Sequence, residues 1–267
     1  MFSVVAQRPL PFTPFTFGSI RPHPDAAPMP SIESVPVVEP EPLYTPSHQP
    51  FDALLVLDVE ATCQEGTDFQ WPNEIIEFPV CLLKWTDKGK TGKASKLEIV
   101  DEFRSFVKPT WRPNLTQFCT NLTGITQEQV DAAPHFPEVA DMFTAFLMKH
   151  GLLHPHTGER IARFCWCTDG PFDVRDFVVK QCFISNVSII PMPYWIRGDV
   201  MDVRKAVGIL SGLPQIQTKK DSRNIARIVI ELARRGICLQ PNTFIHPGRR
   251  WAWMGKHGQI LEEYCMT

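Results

Sequence analysis

The sequence predicts an α/β fold: a mixed central sheet of about five strands flanked by helices. Three observations predict it. Leu54-Leu-Val-Leu57 is a short, unbroken apolar run, the pattern of a strand covered on both faces. Two further strand-like segments, Glu74 to Lys84 and Leu97 to Lys108, flank a stretch carrying Gly89 and Gly92, so the first three strands read as an antiparallel meander. After residue 130 strand and helix patterns alternate, which calls for crossover connections.

Taken in order, Leu54 to Asp58 is the central strand, and the two meander strands follow it. Asn114 to Thr120 and Thr126 to Ala132 read as short helices, and Thr126-Gln-Glu-Gln129 has the composition of a capping box. Glu138 to Lys149 is a longer helix that puts Val139, Met142, Phe143, Phe146 and Leu147 on one side. Ile161 to Thr168 is the fourth strand, Asp173 to Cys182 a helix and Ser188 to Ile190 a fifth strand. From Asp221 to Gly236, Ile225, Ile228, Val229 and Leu232 recur at helical spacing. Asp221 sits where an anion favours the helix start, and Gly236 closes it after two arginines.

The chemistry lies in the acids at the ends of these elements. Asp58 and Glu60 are spaced i, i+2, so in a strand they point to the same side. Two carboxylates that close repel unless a cation lies between them, and a hard divalent ion such as Mg²⁺ suits an all-oxygen site. Asp169 ends a second apolar run in Arg163-Phe-Cys-Trp-Cys-Thr-Asp169-Gly-Pro-Phe-Asp173, and Asp221 opens the last helix. Taken singly, each also reads as a polar strand end or a plain N-cap.

The order strand-Asp-x-Glu, strand-Asp, Asp at a helix start is similar to that of the four acids of the DEDD 3′-to-5′ exonucleases. Asp58-Val-Glu-Ala-Thr-Cys63 with Asn73-Glu-Ile-Ile-Glu-Phe-Pro79, Phe118-Cys-Thr-Asn-Leu-Thr-Gly-Ile-Thr-Gln-Glu-Gln-Val130 and Asp221-Ser-Arg-Asn-Ile-Ala-Arg227 resemble motifs of the Eri1-like exoribonucleases, in the DEDDh branch of the DnaQ-like superfamily. The resemblance covers roughly residues 51 to 240. It implies a ribonuclease H-like exonuclease fold, two bound ions (Mg²⁺ or Mn²⁺) and trimming of RNA 3′ ends by water. It also implies that Asp58, Glu60, Asp169 and Asp221 are the metal ligands and catalytic residues. Ala61 and Thr62 would lie beside the terminal nucleotide, with Phe118 at the entry.

The chain departs from that family at one place. The usual histidine, a few residues before the last acid, takes the proton of the attacking water. Here the chain reads Gly212-Leu-Pro-Gln-Ile-Gln-Thr-Lys-Lys-Asp221, with Gln217 at the position where the sister class carries a tyrosine. No histidine lies between His156 and His246, and the interval from Asp202 to Asp221 is shorter than in the family. Loss of a general base lowers a rate by about 10²–10⁴. A slow enzyme is therefore one reading. The alternatives are a catalytically inactive nucleic-acid-binding relative and a scaffold in an RNA-processing or RNA-silencing assembly.

Composition bounds the rest. At 267 residues with 43% hydrophobic content the chain suits one catalytic domain and a tail. Twelve of the 25 prolines fall in residues 1–50. Residues 1–48 therefore read as a disordered Pro-rich tail suited to a protein partner, 49–240 as the exonuclease domain and 241–267 as a C-terminal extension. The tail's two arginines and four acids account for the whole net charge of −2, leaving a neutral body, which excludes a broadly basic nucleic-acid binder. Lys84, Lys88, Lys90, Lys93 and Lys96 read first as a solvated hairpin tip and second as an RNA-steering patch. Lys219 and Lys220 read as a solvated loop beside the acids or as a phosphate hold, and His246 as a poor substitute base. Arg249-Arg-Trp-Ala-Trp-Met-Gly-Lys256 mixes cations with aromatics, as single-strand binders do. Phe103, Phe106, Trp111, Phe118 and Leu122 read as core before they read as stacking surface. With no signal peptide and no membrane-length apolar run, the eight cysteines are read as reduced thiols of an intracellular protein, in cytoplasm or nucleus.

Overall fold

The computed structural model describes residues 44–185, 193, 195–196, 200–208, 221–243 and 251–255. The chain divides into the units Met1–Glu41 and Pro42–Thr267, and every described residue belongs to the second. The expected strand at Ser188 to Ile190, Gln217, Lys219, Lys220, His246, Arg249, Arg250, Lys256 and residues 1–43 of the tail lie outside the described residues.

The central strand is β2 (Ala53–Leu57), buried at all five positions. It pairs antiparallel with β4 (Ile75–Trp85), and β4 pairs antiparallel with β6 (Leu97–Phe106), which makes the expected meander. On its other side β2 pairs in parallel with β7 (Phe164–Thr168), and β7 in parallel with β8 (Val200–Asp202). A two-residue strand, β3 (Glu60–Ala61), resumes pairing with β4 at Glu77 and Ile75 after a break at Asp58 and Val59. Ser47–His48 (β1), inside the expected tail, pairs with Lys93–Ala94 (β5) in a small separate sheet.

Alternation along β2 divides the core into two layers. Leu55 and Leu57 join Phe78, Val80, Leu82, Phe164 and Trp166 against α3 (Phe136–Lys149), whose Phe136, Val139, Phe143 and Leu147 are buried. Leu54 and Val56 join Cys81, Leu83, Cys165, Cys167 and Met201 against α5 (Val203–Gly208) and α6 (Ser222–Arg234). Helices thus cover both faces of a mixed sheet, as the apolar runs require.

Local chemistry sets several boundaries. The first short helix, α1 (Gln117–Thr123), starts three residues later than its pattern suggests, because the Thr116 hydroxyl accepts the Cys119 N–H and caps it there. In α2 (Gln127–Asp131) both bonds of the expected capping box form between Thr126 and Gln129. The β7 strand begins at Phe164 rather than Ile161, whose side chain is exposed. After β7 the chain makes a π-helical turn, Asp173–Val178, that runs into α4 (Val179–Ile184). Gly236, after α6, has φ of +79°, and a Cβ there would lie 2.9 Å from Thr45, so the position admits little but glycine.

Lys180 and Gln181 of α4 tie down the chain entering β4. The buried Lys180 ammonium donates to the carbonyls of Phe69 (2.5 Å) and Trp71 (2.9 Å) and to Asn73 Oδ1 (2.9 Å), and Gln181 Oε1 accepts the Ile75 N–H (2.6 Å). Trp251, Trp253 and Met254, from the expected C-terminal extension, are buried with Ile184, and Trp111 packs against them.

Candidate active site

The parallel register brings two of the acids side by side. Val56 of β2 lies opposite Cys167 of β7, so Asp58 and Asp169 each stand two residues further on, at neighbouring carboxyl ends. Ligands of open α/β sheets bind at this edge. Val56 and Cys167 face the layer covered by α6. The start of that helix is held over β4, where Cys81, the cross-strand partner of Val56, reaches Ser222 Oγ at 3.7 Å. Asp221 is its N-cap: extended (φ −156°, ψ 154°), it accepts the Asn224 N–H at 2.8 Å, as the sequence anticipates.

Asp58, Glu60 and Asp221 line one cavity of about 360 Å³, together with Glu77, Glu102, Thr123, Arg104 and Arg223. Pairing with β4 keeps its phase from Leu57, opposite Val80, to Glu60, opposite Glu77, so the i, i+2 pair Asp58 and Glu60 faces one side and both reach it. At the break the Val59 N–H leaves the ladder and donates instead to Asp173 Oδ1, at 3.0 Å. Asp173 opens the π-helical turn, and burial pushes its carboxyl well up, with the charges of Asp58 and Asp169 adding to the rise and the Val59 N–H opposing it. Asp173 stands between the first and third acids. Its signal in the sequence was only its place four residues after Asp169.

Asp169 does not line that cavity. Its carboxylate is taken by Arg204 of α5, Nε to Oδ1 at 2.6 Å and Nη2 to Oδ2 at 2.8 Å. That pairing, with Asp202 and Asp173 nearby, holds the guanidinium above its ordinary value. Gly170 (φ +94°) turns the chain directly after Asp169, and its N–H bonds the Thr168 carbonyl.

The donor chemistry suits a hard divalent ion: Asp58, Glu60, Asp169 and Asp221 offer carboxylate oxygens only, from neighbouring strand ends and a helix cap. As they stand, no three acid, histidine or cysteine side chains among the described residues are gathered closely enough to hold an ion. Arg204 occupies the carboxylate of Asp169. No histidine appears among the described residues that line the cavity. His150 is paired with Asp101 at 2.8 Å, and His135 caps α3.

The remaining expected site residues lie nearby. Ala61 is buried, and its carbonyl faces Cys119 Sγ at 3.7 Å. Thr62 Oγ1 accepts the Glu74 N–H (2.9 Å), and Thr62 borders a second cavity of about 220 Å³ with Trp71, Trp111 and Arg112. Phe118 projects from α1 with 39% of its surface exposed. Of the lysines of the 84–96 stretch, Lys84 holds the His150 carbonyl and Lys88 holds Asp52, so both serve the fold.

Comparison with known proteins adds a family. The profile of the exonuclease (RNase T) family matches residues 55–167. The chain is similar to the 3′-5′ exonuclease eri1 of Schizosaccharomyces pombe, 31% identical over 78% of this chain and 74% of that one. It is also similar to 3′-5′ exoribonuclease 1 of Homo sapiens, 33% identical over 74% of this chain, although it spans only 57% of the human protein's length. Among solved structures, the nuclease domain of 3′hExo, a DEDDh family member bound to rAMP, matches at 30% identity and a TM-score of 0.59, over 73% of this chain and 98% of that domain. A structure of 3′-end-specific recognition of the histone mRNA stem-loop by 3′-exonuclease matches at 30% identity and a TM-score of 0.60, over 76% of this chain and 70% of the other.

Proposed function

From the premise that the chain belongs to the Eri1-like family of 3′-5′ exonucleases, we propose that it hydrolyses RNA one nucleotide at a time from the 3′ end. The observation that carries this reading is the convergence of Asp58, Glu60 and Asp221 on one cavity with Asp169 at the adjoining strand end. These four carboxylates are the ligands for two divalent ions, Mg²⁺ or Mn²⁺. Such ions, when bound, polarise a phosphodiester and lower the pKa of a water.

The protein's own residues orient the strand. Ala61 and Thr62 border the terminal sugar and Phe118 offers a ring to its base, while Asp173 holds the backbone N–H between Asp58 and Glu60. Residues 49–240 form the exonuclease domain and 241–267 an extension of it. Of the Pro-rich segment 1–48, the part ahead of Tyr44 is the place for a protein partner, since Ser47–His48 pairs with Lys93–Ala94. The chain acts inside the cell, where the RNA is; no described helix is long and apolar enough to cross a membrane. With no histidine among the described residues of the cavity lining, the rate falls about 10²–10⁴ below that of a base-bearing relative.

The test uses one RNA labelled at its 3′ end and the same RNA labelled at its 5′ end, with Mn²⁺. Labelled mononucleotide from the first, a shortening ladder from the second, and loss of both with chelator or in Asp58→Asn are expected. Tight binding without turnover would favour the non-catalytic reading suggested by the missing histidine. Internal cuts would contradict both.

A further inference from the structure

The cavity that holds the acids has a second wall, and its chemistry is different. Glu102 and Arg104 lie two apart on β6, opposite Cys81 and Pro79 of β4, so their side chains share the face covered by α6. Arg223 approaches from the first turn of α6. Two ion pairs result: Arg104 Nε to Glu77, and Arg223 to Glu102, with Nε 2.9 Å from both carboxylate oxygens and Nη2 2.6 Å from Oε2. Both arginine side chains remain about two-thirds exposed, 67% for Arg104 and 66% for Arg223. Each glutamate takes only part of its arginine's donor set. Nη1 and Nη2 of Arg104 and Nη1 of Arg223 make no hydrogen bond to any described residue. The Arg104 guanidinium also rests over the Phe106 ring, 5.3 Å from its centroid.

A polyanion entering here meets five carboxylates among the described lining residues, Asp58, Glu60, Glu77, Glu102 and Asp221. Bound ions answer the charge on the floor but not that on the wall. The arginines are the cations among the described lining residues, held in fixed planes with N–H groups still to give. A guanidinium so oriented matches the oxygens of a phosphate.

We propose that Arg104 and Arg223 clamp the sugar-phosphate backbone of the RNA, each donating to a non-bridging oxygen of a phosphodiester on the 5′ side of the scissile one, while Glu77 and Glu102 hold the guanidinium planes. This rests on the exonuclease reading above and assigns the path by which the strand reaches that site. Phosphate contacts of this kind position the strand without reading its sequence.

The test exploits the sign of the charge. Binding of a fluorescent single-stranded RNA is followed by anisotropy in Ca²⁺ across a salt series, for the full chain and for Arg223→Gln, Glu102→Gln and Arg104→Gln. Arg223→Gln and Glu102→Gln break the same ion pair, so a structural role would move both alike. The clamp moves them oppositely: Arg223→Gln weakens binding about 5- to 10-fold, and Glu102→Gln tightens it about 2- to 5-fold. Each arginine variant also lowers the slope of log K against log salt by about 0.7, and in Mn²⁺ it raises KM while kcat stays within about twofold. Should Arg223→Gln fail to fold, Glu102→Gln and Arg104→Gln carry the test. Shifts of the same sign in the pair, or an unchanged salt slope, overturn the clamp while leaving the nuclease intact. Failure of the unaltered chain to bind RNA overturns both.

Discussion

Replacing Arg204 by glutamine should tighten binding of a divalent ion. Arg204 grips Asp169 through two hydrogen bonds of 2.6 and 2.8 Å, and an ion that uses Asp169 must displace them. With charge centres about 4 Å apart, the attraction is about 1 kcal/mol in water and about 4 kcal/mol at an effective dielectric near 20. The Arg204 side chain is 54% exposed and that of Asp169 23% exposed. Solvent screening therefore pulls the net value toward the upper end for exposed bidentate pairs, about 1 kcal/mol. That converts to about fivefold in affinity. Loss of the nearby positive charge acts in the same direction, so about fivefold is the smaller expected gain. Calorimetric titration with Mn²⁺ of the unaltered chain and of Arg204→Gln reads it directly, without reference to turnover. An unchanged or weaker affinity would refute the view that Arg204 and the ion compete for Asp169.

Three other predictions follow from the same contacts. Lys180→Met orphans three oxygens beside Phe69, Trp71 and Asn73 but also removes a desolvated charge, so the net loss should be about 2–3 kcal/mol and the thermal midpoint should fall about 5–10 °C; a shift under about 2 °C would show the lysine to be dispensable. Arg234 and Arg235 hold the Glu231 carboxyl down to about 2, below its ordinary value of 4.5. This depressed group stabilises the fold above about pH 4.5, and its contribution, under about 1 kcal/mol after screening, fades as pH falls toward 2; urea unfolding of Glu231→Gln against the parent should differ at pH 6 and converge at pH 2–3. Finally, with no histidine among the described residues of the cavity lining, the rate of RNA hydrolysis should climb through pH 6–9 without the inflection near 6.5 that an imidazole base gives; a clear inflection there, abolished in His246→Gln, would restore a histidine base.

How much of this was legible in the sequence depends on how far each feature reaches. Features fixed by neighbours were plain: the Thr126–Gln129 capping box, Asp221 as the cap of α6, the meander about Gly89 and Gly92, and the i, i+2 pair Asp58 and Glu60. Features that depend on residues far apart were not. That Asp169 would turn to Arg204, 35 residues on, is invisible to periodicity, and so is the Asp173 bond to Val59, 114 residues away. The strand at Val200–Asp202 is too short to announce itself and forms because β7 offers it a parallel edge. The aromatic group expected to be mainly core divides. Phe103, Phe106 and Trp111 pack against buried clusters, whereas Phe118 and Leu122 stand one turn apart on the outer side of α1, 39% and 67% exposed. Periodicity could not tell these apart, because α1 is too short to present a stripe.

The most direct measurement is the number of Mn²⁺ ions bound per chain, read by electron paramagnetic resonance for the unaltered protein and for Asp58→Asn, Glu60→Gln, Asp169→Asn and Asp221→Asn. Two saturable sites in the parent, with weakened or lost binding in each variant, are predicted. No saturable binding in the parent, or binding that all four substitutions leave untouched, would contradict the assignment of these carboxylates as one metal-dependent nuclease centre.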